Sequence, residues 1–402
     1  MAFFANNDIN RLAVHTTLHQ LGFGIAGVFI SAFLLRAGLP PSEVFLALAG
    51  VLTLRFVLRP LVLVTATVIG GRRTLILGTI LSAGQYPILA TVHGVGPELL
   101  LWVAAAAVGD MFYWTCYHAF FAALGDVEHR GSQLGARQAL STLAGILGPA
   151  AGGAMLAAFG AWTAFGAAAI VTIASTIPLR VVAEPRILRI APPKAYHAAR
   201  SGVLLFASDG WIVICSFVAW DMSAFRALAS RYESFGGMLA AAALAGAAGG
   251  LILGRFIDAG HIRRAVWMNA ACLVTTVILK AGCGDHPILV VIAATISAVL
   301  GGLYIPSLMT AVYNMAKSSP CPLRFHFAAE GGWDCGGTAA CVTAAAIGAV
   351  GAPLPATILL ALPCILLQAL LLDRTRMPAI AAIYVAADAG YSPQNYKRST
   401  EK

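Results

Sequence analysis

Two arginines lie four residues apart in an otherwise almost wholly apolar stretch, LTLRFVLRPLVLV, at residues 52–64. In a helix this spacing places Arg55 and Arg59 on one face. A guanidinium group keeps its proton, so each needs carboxylates, backbone carbonyls, a water-filled cavity or an anionic ligand. One interpretation is an internal ion pair of Arg55 with Glu330 or Asp334, since buried charges are normally paired. The others are that Arg55 binds a substrate carboxylate or phosphate and that Arg59 extends to the lipid headgroups.

Acidic and histidine side chains in apolar stretches could exchange protons with the solution. Asp209 lies in FASDGWIVICSF, and Glu330 and Asp334 share one helical face in EGGWD. His19 lies in the first apolar stretch, and an imidazole can change its charge near neutral pH. These four residues are therefore candidate proton-coupling residues. The alternative for each is a structural hydrogen bond to a neighbouring helix.

An unusually dense aromatic run, DMFYWTCYHAFF, begins at Asp110. Its rings could stack on an aromatic substrate or hold a cation over their faces. A helix cannot point all of them at one cavity, so the alternative is that several face lipid or pack against neighbouring helices. The candidate substrate-binding residues are Arg55, Asp110, Tyr113, Trp114, Tyr117 and Trp211.

The composition indicates which elements position these residues. Hydrophobic residues make up 59% of the 402-residue chain and charged residues 11%, and the mean hydropathy is +0.82, whereas soluble domains contain about 25% charged residues. A membrane-spanning helix needs about 20 mostly apolar residues. Stretches of that length predict twelve transmembrane helices, at residues 14–35, 42–67, 74–93, 98–124, 134–158, 161–182, 200–222, 235–257, 265–282, 286–312, 326–349 and 352–372.

A long basic connection with a Pro-Pro break, residues 183–200, separates two sets of six spans. The halves also repeat each other weakly, since LAGVLTLRFVLR at residues 48–59 is similar to LAGAAGGLILGR at residues 244–255. The predicted fold is an all-α polytopic membrane protein of two pseudo-symmetric six-helix bundles. Its predicted parts are an N-terminal segment 1–13, a bundle 14–182, a linker 183–199, a bundle 200–372 and a tail 373–402.

The distribution of charge indicates how the chain lies in the membrane. The formal net charge is +9, and most Lys and Arg fall in alternate connections and the tails, which predicts cytoplasmic termini in the cell (inner) membrane. This pattern accounts for the basic excess without nucleic acid. The eight cysteines include no C-x-x-C pair, so neither a disulfide framework nor a metal site is expected, and no cofactor is expected. The expected partners are a small-molecule substrate, protons and the lipid bilayer.

Glycine- and arginine-rich turns follow the second span of each half. The later turn reads GRFIDAGHIRR, and the earlier one reads VIGGRR with Val68 where the later turn has an acid. These turns are similar to the G-x-x-x-D-R-x-G-R-R turn of the major facilitator superfamily, and the resemblance covers about residues 10–372. It implies a role in conformational change for Gly71, Arg72, Arg73, Gly254, Asp258, Arg263 and Arg264.

A glycine-proline element, GPAAGG, lies in the fifth predicted span. It is similar to the G-P-x-x-G-G element of proton-antiporting exporters in the same superfamily. The resemblance implies that Gly148, Pro149, Gly152 and Gly153 serve conformational change during export. The second interpretation is close helix packing, because small residues let membrane helices approach each other.

The resemblance and the buried charges together predict the function. We expect a secondary active transporter of a small organic solute, working by alternating access, coupled to protons and exporting its substrate. The alternative is proton-coupled uptake of an organic anion. An enzyme or a channel is less favoured, because the sequence has no G-x-x-x-x-G-K-[ST], H-E-x-x-H or G-x-S-x-G motif and its charges form one irregular set rather than a symmetric ring.

Overall fold

The computed structural model describes residues 6–125, 130–185, 187, 190–258, 262–302 and 304–388. Long helices form almost all of this part of the chain. In the first half they are α1 Asn7–Arg36, α2 Pro41–Leu58 with Pro60–Ile69, α3 Gly71–Leu89, α4 Pro97–Leu124, α5 Arg130–Ala158 and α6 Gly160–Leu179. In the second half they are α7 Arg200–Ala227, α8 Tyr232–Asp258, α9 Ile262–Gly282, α10 Pro287–Gly301 with Tyr304–Ser318, α11 Pro322–Ala349 and α12 Leu354–Leu359 with Ala361–Asp388.

The all-α membrane fold expected from the composition is confirmed. In the described ranges, nine helical segments are long and apolar enough to cross a membrane. The three remaining predicted spans also form long helices, namely α3, α8 and α11. The number of twelve crossings therefore stays a prediction, although each predicted span corresponds to a long helix.

Helix packing repeats between the two halves. In the first half, α1 packs on α5 and α6, α3 on α4 and α6, and α2 on α4. In the second half, α7 packs on α11 and α12, α9 on α10 and α12, and α8 on α10. Each contact has its equivalent six helices later. This repetition is what two pseudo-symmetric bundles require, and it agrees with the weak internal repeat in the sequence.

Two helix pairs join the halves along their length, α2 with α11 and α5 with α8. The GPAAGG element lies at the second of these contacts. A Cβ atom on Gly148 would lie 2.7 Å from the Cα of Gly24 in α1, and one on Gly153 would lie 3.2 Å from the carbonyl carbon of Tyr232 in α8. Both glycines are therefore needed for close approach of α5 to its neighbours, which is the packing interpretation of the element.

The halves also touch at both ends of the molecule. At the end where α1 begins, here called the N-terminal face, the Lys317 ammonium of α10 donates to the carbonyls of Ala123 (3.0 Å) and Gly125 (2.6 Å) at the end of α4. At the opposite face, Arg36 donates to the Ser230 carbonyl (3.3 Å) and lies 4.9 Å from the ring centre of Tyr232. At each end of the seam between the halves, a cation of one half therefore contacts a backbone carbonyl of the other.

A proline break in α2 lies beside the arginines. Pro60 has no N–H, so it cannot donate to the Phe56 carbonyl one turn earlier. The Arg59 N–H donates to that carbonyl instead, at 3.3 Å. The helix therefore ends at Leu58 and a second helix begins at Pro60, with Arg59 at the junction between them.

An irregular turn also occurs in α7. In α7 a π-helical turn spans Ile214–Val218, and its Ser216 carbonyl accepts a hydrogen bond from the Lys280 ammonium of α9 at 3.0 Å. Lys280, which lies near the end of α9, is thus turned into the protein and 5% exposed. The second segment of α10 begins at Tyr304, whose hydroxyl contacts an acid of α7.

Candidate functional site

A buried ion cluster joins the two halves at mid-molecule. Arg55 Nε of α2 donates to Asp334 Oδ1 of α11 at 2.5 Å, and its Nη2 also contacts this carboxylate. Arg59 Nη2 contacts the other oxygen of Asp334. All three side chains are buried. One carboxylate therefore serves two guanidinium groups, and the expected pairing of Arg55 with an acid of α11 is present.

Arg59 does not extend to lipid headgroups. Its side chain is 2% exposed, and Nη1 donates to the Thr115 hydroxyl of α4 at 2.7 Å. The arginine therefore ties α2 to α4 and α11 at once. The headgroup interpretation of Arg59 is wrong, because polar groups inside the protein contact both of its terminal nitrogens, Nη1 and Nη2.

Glu330 lies one turn from Asp334 and contacts both Arg55 and a histidine of α4. Its Oε2 is 4.0 Å from Arg55 Nη2, and its Oε1 is 3.5 Å from Nε2 of His118 in α4. His118 Nδ1 is in turn 2.7 Å from the Tyr313 hydroxyl of α10. The ion cluster thus continues from the two arginines to a histidine and a tyrosine, and it involves four helices.

Asp209 of α7 is held within the second half. The Tyr304 hydroxyl donates to its Oδ1, and Trp333 Nε1 of α11 donates to its Oδ2 at 2.9 Å. The Trp333 ring also lies under the Arg55 guanidinium, 4.8 Å from ring centre to Cζ. The indole therefore contacts both Asp209 and the arginine of the opposite half.

Asp110 faces a different helix from the one that carries the arginines. Its Oδ1 accepts hydrogen bonds from the Ser82 hydroxyl (3.1 Å) and the Gln85 amide (3.4 Å), both in α3. This polar contact lies inside the first bundle. The structure places Asp110 between α3 and α4, outside the Asp334 cluster.

Two tyrosines in the aromatic run of α4 contact histidines of α1. Tyr113 and Tyr117 are buried, and the Tyr113 ring stacks on His19 at 3.9 Å between centroids. Trp114 is partly exposed and stacks on His118 at 5.5 Å. Of the three candidate rings in this run, Trp114 is therefore the one that combines exposure with contact to the ion cluster.

His19 itself is 3% exposed, and neither ring nitrogen has a hydrogen-bond partner among the described residues. His15, one turn earlier, has its Nδ1 2.8 Å from the Ser175 carbonyl of α6. Trp211 Nε1 donates to the Leu360 carbonyl at the break in α12, at 2.7 Å. The structure thus brings His19 next to Tyr113 and places Trp211 against α12, outside the cluster.

The glycine- and arginine-rich turn of the first half, at residues 68–73, contacts an acid from elsewhere in the chain, although its own motif acid is replaced. The Arg72 backbone N–H donates to Glu184 Oε1 at 3.0 Å, and its guanidinium group donates to the Val182 carbonyl at 3.1 Å. Glu184 lies in the connection between the halves, and its carboxylate contacts the first turn of α3. Val68, which replaces the motif acid, lies near the end of α2. The exposed Arg73 follows Arg72 at this face.

The later turn is only partly covered. Gly254 and Asp258 belong to α8 and Arg263 to α9, but their side-chain surroundings lie outside the described residues, as does the connection 259–261. Arg264 is described and exposed. In the part of the chain that the structure covers, no group of three or more His, Cys, Asp or Glu side chains could hold a metal ion.

Sequence reasoning named Arg55, Glu330 and Asp334 but not their partners His118 and Tyr313. His118 lies towards the end of its predicted span, where water or lipid headgroups could solvate it, so its position alone does not single it out. The signal in the sequence is its spacing from Trp114, because residues four apart share a helix face and Trp114 is a candidate binding residue. Tyr313 carried no signal, because nothing in the sequence indicates which helix packs on α4.

The comparisons with known proteins agree with this architecture. The Major Facilitator Superfamily model matches residues 12–320. The human organic anion transporter MFSD10 (TETRAN) is 16% identical with a TM-score of 0.61, and the match covers 91% of this chain and 99% of that one. The superfamily transporter FucP, in the outward conformation, is 12% identical with a TM-score of 0.65, covering 91% and 98%. The POT family transporter PepTSo is 11% identical with a TM-score of 0.62, covering 92% and 99%.

These three structures are similar to the chain in fold alone, because the identities are low. A comparison with curated protein sequences gives no match. The family model, in contrast, spans most of the chain and includes α2 and α4, which carry the arginines and His118.

Proposed function

The chain belongs to the major facilitator superfamily and is a secondary transporter of the membrane, and we propose that it moves a small organic solute by proton-coupled alternating access. The proposal includes two rocking units, residues 14–182 and 200–372, joined by a linker at 183–199. The segments 1–13 and 373–402 are proposed to lie in the cytoplasm at the cell (inner) membrane, following the distribution of basic residues.

The observation that carries the proposal is the buried ion cluster across the seam. Arg55 and Arg59 belong to the first half and Asp334 to the second. Separating a buried ion pair leaves uncompensated charge and costs roughly 3–5 kcal/mol. The cluster is therefore suited to remain closed as a pivot, while the contacts at the two faces, which include Lys317 and Arg36 on carbonyl groups, open in turn.

The proposed substrate site lies on this pivot, at the Arg55 guanidinium and the partly exposed Trp114 ring. Arg55 is bound to Asp334, so an anionic group would bind there by competing with that carboxylate. Tyr113, Tyr117 and Asp110 would support the site from behind, since they pack against α1 and α3. Trp211, which contacts α12, is the weakest of the candidate binding residues.

Two acids are the best candidates for proton coupling. Asp209 accepts hydrogen bonds from neutral donors alone among its described partners, and Glu330 is next to a histidine. Asp334 is less suited to the role, because each of its carboxylate oxygens already contacts a guanidinium group. His19 stays a candidate because it is buried and neither of its ring nitrogens has a hydrogen-bond partner among the described residues.

The proposed direction is export by proton antiport, which rests on the GPAAGG element. A second candidate is proton-coupled uptake of an organic anion. The observation that favours it is the pair of guanidinium groups, those of Arg55 and Arg59, that meet at the pivot. MFSD10, one of the transporters with the same fold, is described as an organic anion transporter.

The experiment that tests the proposal is proton flux in liposomes that contain the purified protein and an internal pH dye. The panel consists of organic anions, lipophilic cations and neutral sugars. Proton movement on anion addition that is lost in Arg55→Gln would support anion transport with Arg55 in the site. A response to lipophilic cations that survives Arg55→Gln would support the exporter and leave the arginines as structural pairs.

Arg55→Lys is the matched control, because it keeps the positive charge but loses the planar donor pair. Liposomes in which no panel compound moves protons, although the protein is folded and correctly inserted, would contradict the proposed coupling. The same liposomes give the direction, since antiport and symport move protons oppositely relative to the substrate.

A further inference from the structure

His118 lies in the seam between the halves with both ring nitrogens facing groups of the opposite half. Nε2 is 3.5 Å from Glu330 Oε1 of α11, and Nδ1 is 2.7 Å from the Tyr313 hydroxyl of α10. The residue is 8% exposed. A histidine in this position can accept a proton on one nitrogen and release one from the other.

Aromatic rings fix the plane of this imidazole. Trp114 lies against it at 5.5 Å between centroids with planes 23° apart, and His326 lies at 5.5 Å with planes 26° apart. Phe206 of α7 meets it edge-on at 6.1 Å. The ring therefore cannot turn freely, and the direction from Nε2 to Glu330 is set by packing.

The histidine lies on the N-terminal side of Glu330. α4 runs towards that face and ends at Leu124, α10 ends there at Ser318, and α11 begins there at Pro322. At 1.5 Å per residue, Glu330 lies about 12 Å from the start of its helix and His118 about 9 Å from the end of its own. His118 is thus placed between the acid and that face of the membrane.

Among the three acids near the seam, Glu330 alone has a described neighbour that can take up a proton. Asp334 is bound by two guanidinium groups. Asp209 contacts Tyr304 and Trp333, which are donors. Among the described contacts, the titratable groups next to His118 from α11, α10 and its own helix are Glu330, His326, Tyr313 and Tyr117, while α7 contributes the apolar Phe206.

We propose that His118 carries the proton between Glu330 and the solution at the N-terminal face, which rests on the proposed proton coupling. In the closed seam, the O–H bond of protonated Glu330 breaks and an N–H bond forms at His118 Nε2. This step leaves a carboxylate beside Arg55 and an imidazolium ion. Opening the N-terminal face then carries His118 away with the first half, and its Nδ1–H bond breaks to give the proton to water.

One proton moves in this sequence and no other species is consumed. The reverse order loads Glu330 from the same face. Because the acid belongs to the second half and the histidine to the first, the proton can pass between them only when the seam is closed at that face. The contact therefore links proton transfer to the conformational change without a continuous water path to Glu330.

The first test compares His118→Gln with His326→Gln in the liposomes described above, using the panel compound that moves protons with the wild-type protein. In His118→Gln, gradient-driven accumulation is expected to fall at least tenfold, while exchange of labelled for unlabelled compound continues. His326→Gln removes the stacked ring but leaves Glu330 and His118 in place, and it is expected to keep most of the accumulation. Unchanged accumulation in His118→Gln, or an equal loss in both variants, would overturn the proposal.

The second test needs no substrate and therefore separates this proposal from the proposed function. A protonated imidazole quenches an indole that it contacts, so acidification is expected to lower the fluorescence of Trp114 in the purified protein. The response should disappear in Trp114→Phe, and in Glu330→Gln its midpoint should shift by about one pH unit or more, since a charge within contact distance shifts titration by that amount. The relay would be rejected, even if proton-coupled transport is found, by the absence of a fluorescence response that depends on Trp114 or by a midpoint that is the same in Glu330→Gln as in the wild-type protein.

Discussion

Removing Asp334 is expected to destabilise the protein more than removing either of its arginines. In Asp334→Asn, Arg59 keeps only the Thr115 hydroxyl among its described polar partners, and Arg55 keeps Glu330 at 4.0 Å. In Arg55→Gln, by contrast, Asp334 still has Arg59. In Arg59→Gln it still has Arg55. The shared carboxylate therefore makes the three substitutions unequal, although each removes one charge.

The magnitudes follow from what each variant leaves unpaired. Asp334→Asn leaves a buried cation without an acid in contact, which costs roughly 3–5 kcal/mol. Each single arginine substitution removes hydrogen bonds to a charged group and leaves the acid paired, which costs about 1.5–3 kcal/mol. The double variant Arg55→Gln with Arg59→Gln leaves Asp334 as an unpaired buried anion. Its cost should therefore exceed the sum of the two single substitutions.

The assay is thermal unfolding in detergent, followed with a thiol-reactive fluorophore. Four free cysteines are buried in the folded protein, which are Cys116, Cys215, Cys321 and Cys341, so unfolding exposes them to the dye. Arg36→Gln is the control, because this exposed arginine should contribute about 0–1 kcal/mol. Equal melting temperatures for Asp334→Asn and Arg55→Gln, or additive effects of the two arginine substitutions, would refute the shared pairing.

Three further outcomes are expected from the contacts around the site. Asp209→Asn should abolish gradient-driven accumulation in liposomes and leave substrate exchange intact; accumulation at the wild-type level would remove Asp209 from the coupling mechanism. Glu184→Gln should change stability by less than about 1 kcal/mol, because Glu184 and Arg72 are partly exposed; a larger fall in melting temperature would show a tighter contact. Lys317→Met should favour opening at the N-terminal face by about tenfold or more, since hydrogen bonds from a charged group contribute roughly 1.5–3 kcal/mol; spin labels on the ends of α4 and α10 that stay at the wild-type distance would contradict it.

The membrane fold could be predicted from the sequence because the bilayer restricts the choices. Apolar stretches of spanning length need helices, since every backbone polar group must be satisfied inside the segment. The same restriction made Arg55 and Arg59 conspicuous, and their need for a carboxylate pointed to α11. The prediction succeeded because the number of acids in the spans is small.

The geometry of the site could not be predicted in the same way. Arg55 and Asp334 are 279 residues apart in the chain, and no local pattern states that Arg59 shares the same carboxylate. The two tryptophans near Asp209 illustrate a second limit of the sequence. Trp211 lies two residues from Asp209, so a helix turns it to another side. The indole that contacts Asp209 is Trp333, from a helix that reaches it only through packing.

The two ends of the seam differ from its middle in a way that suits alternating access. At mid-molecule the contact is a buried cluster of several charges, which is costly to separate. At each face, the described contacts include one cation on backbone carbonyls, Lys317 at one and Arg36, which also lies over the Tyr232 ring, at the other. Such contacts expose little uncompensated charge when they open, because water can solvate both the cation and the carbonyls. The halves can therefore separate at either face while the Asp334 cluster holds, and His118, which lies between that cluster and the N-terminal face, changes its surroundings when that face opens.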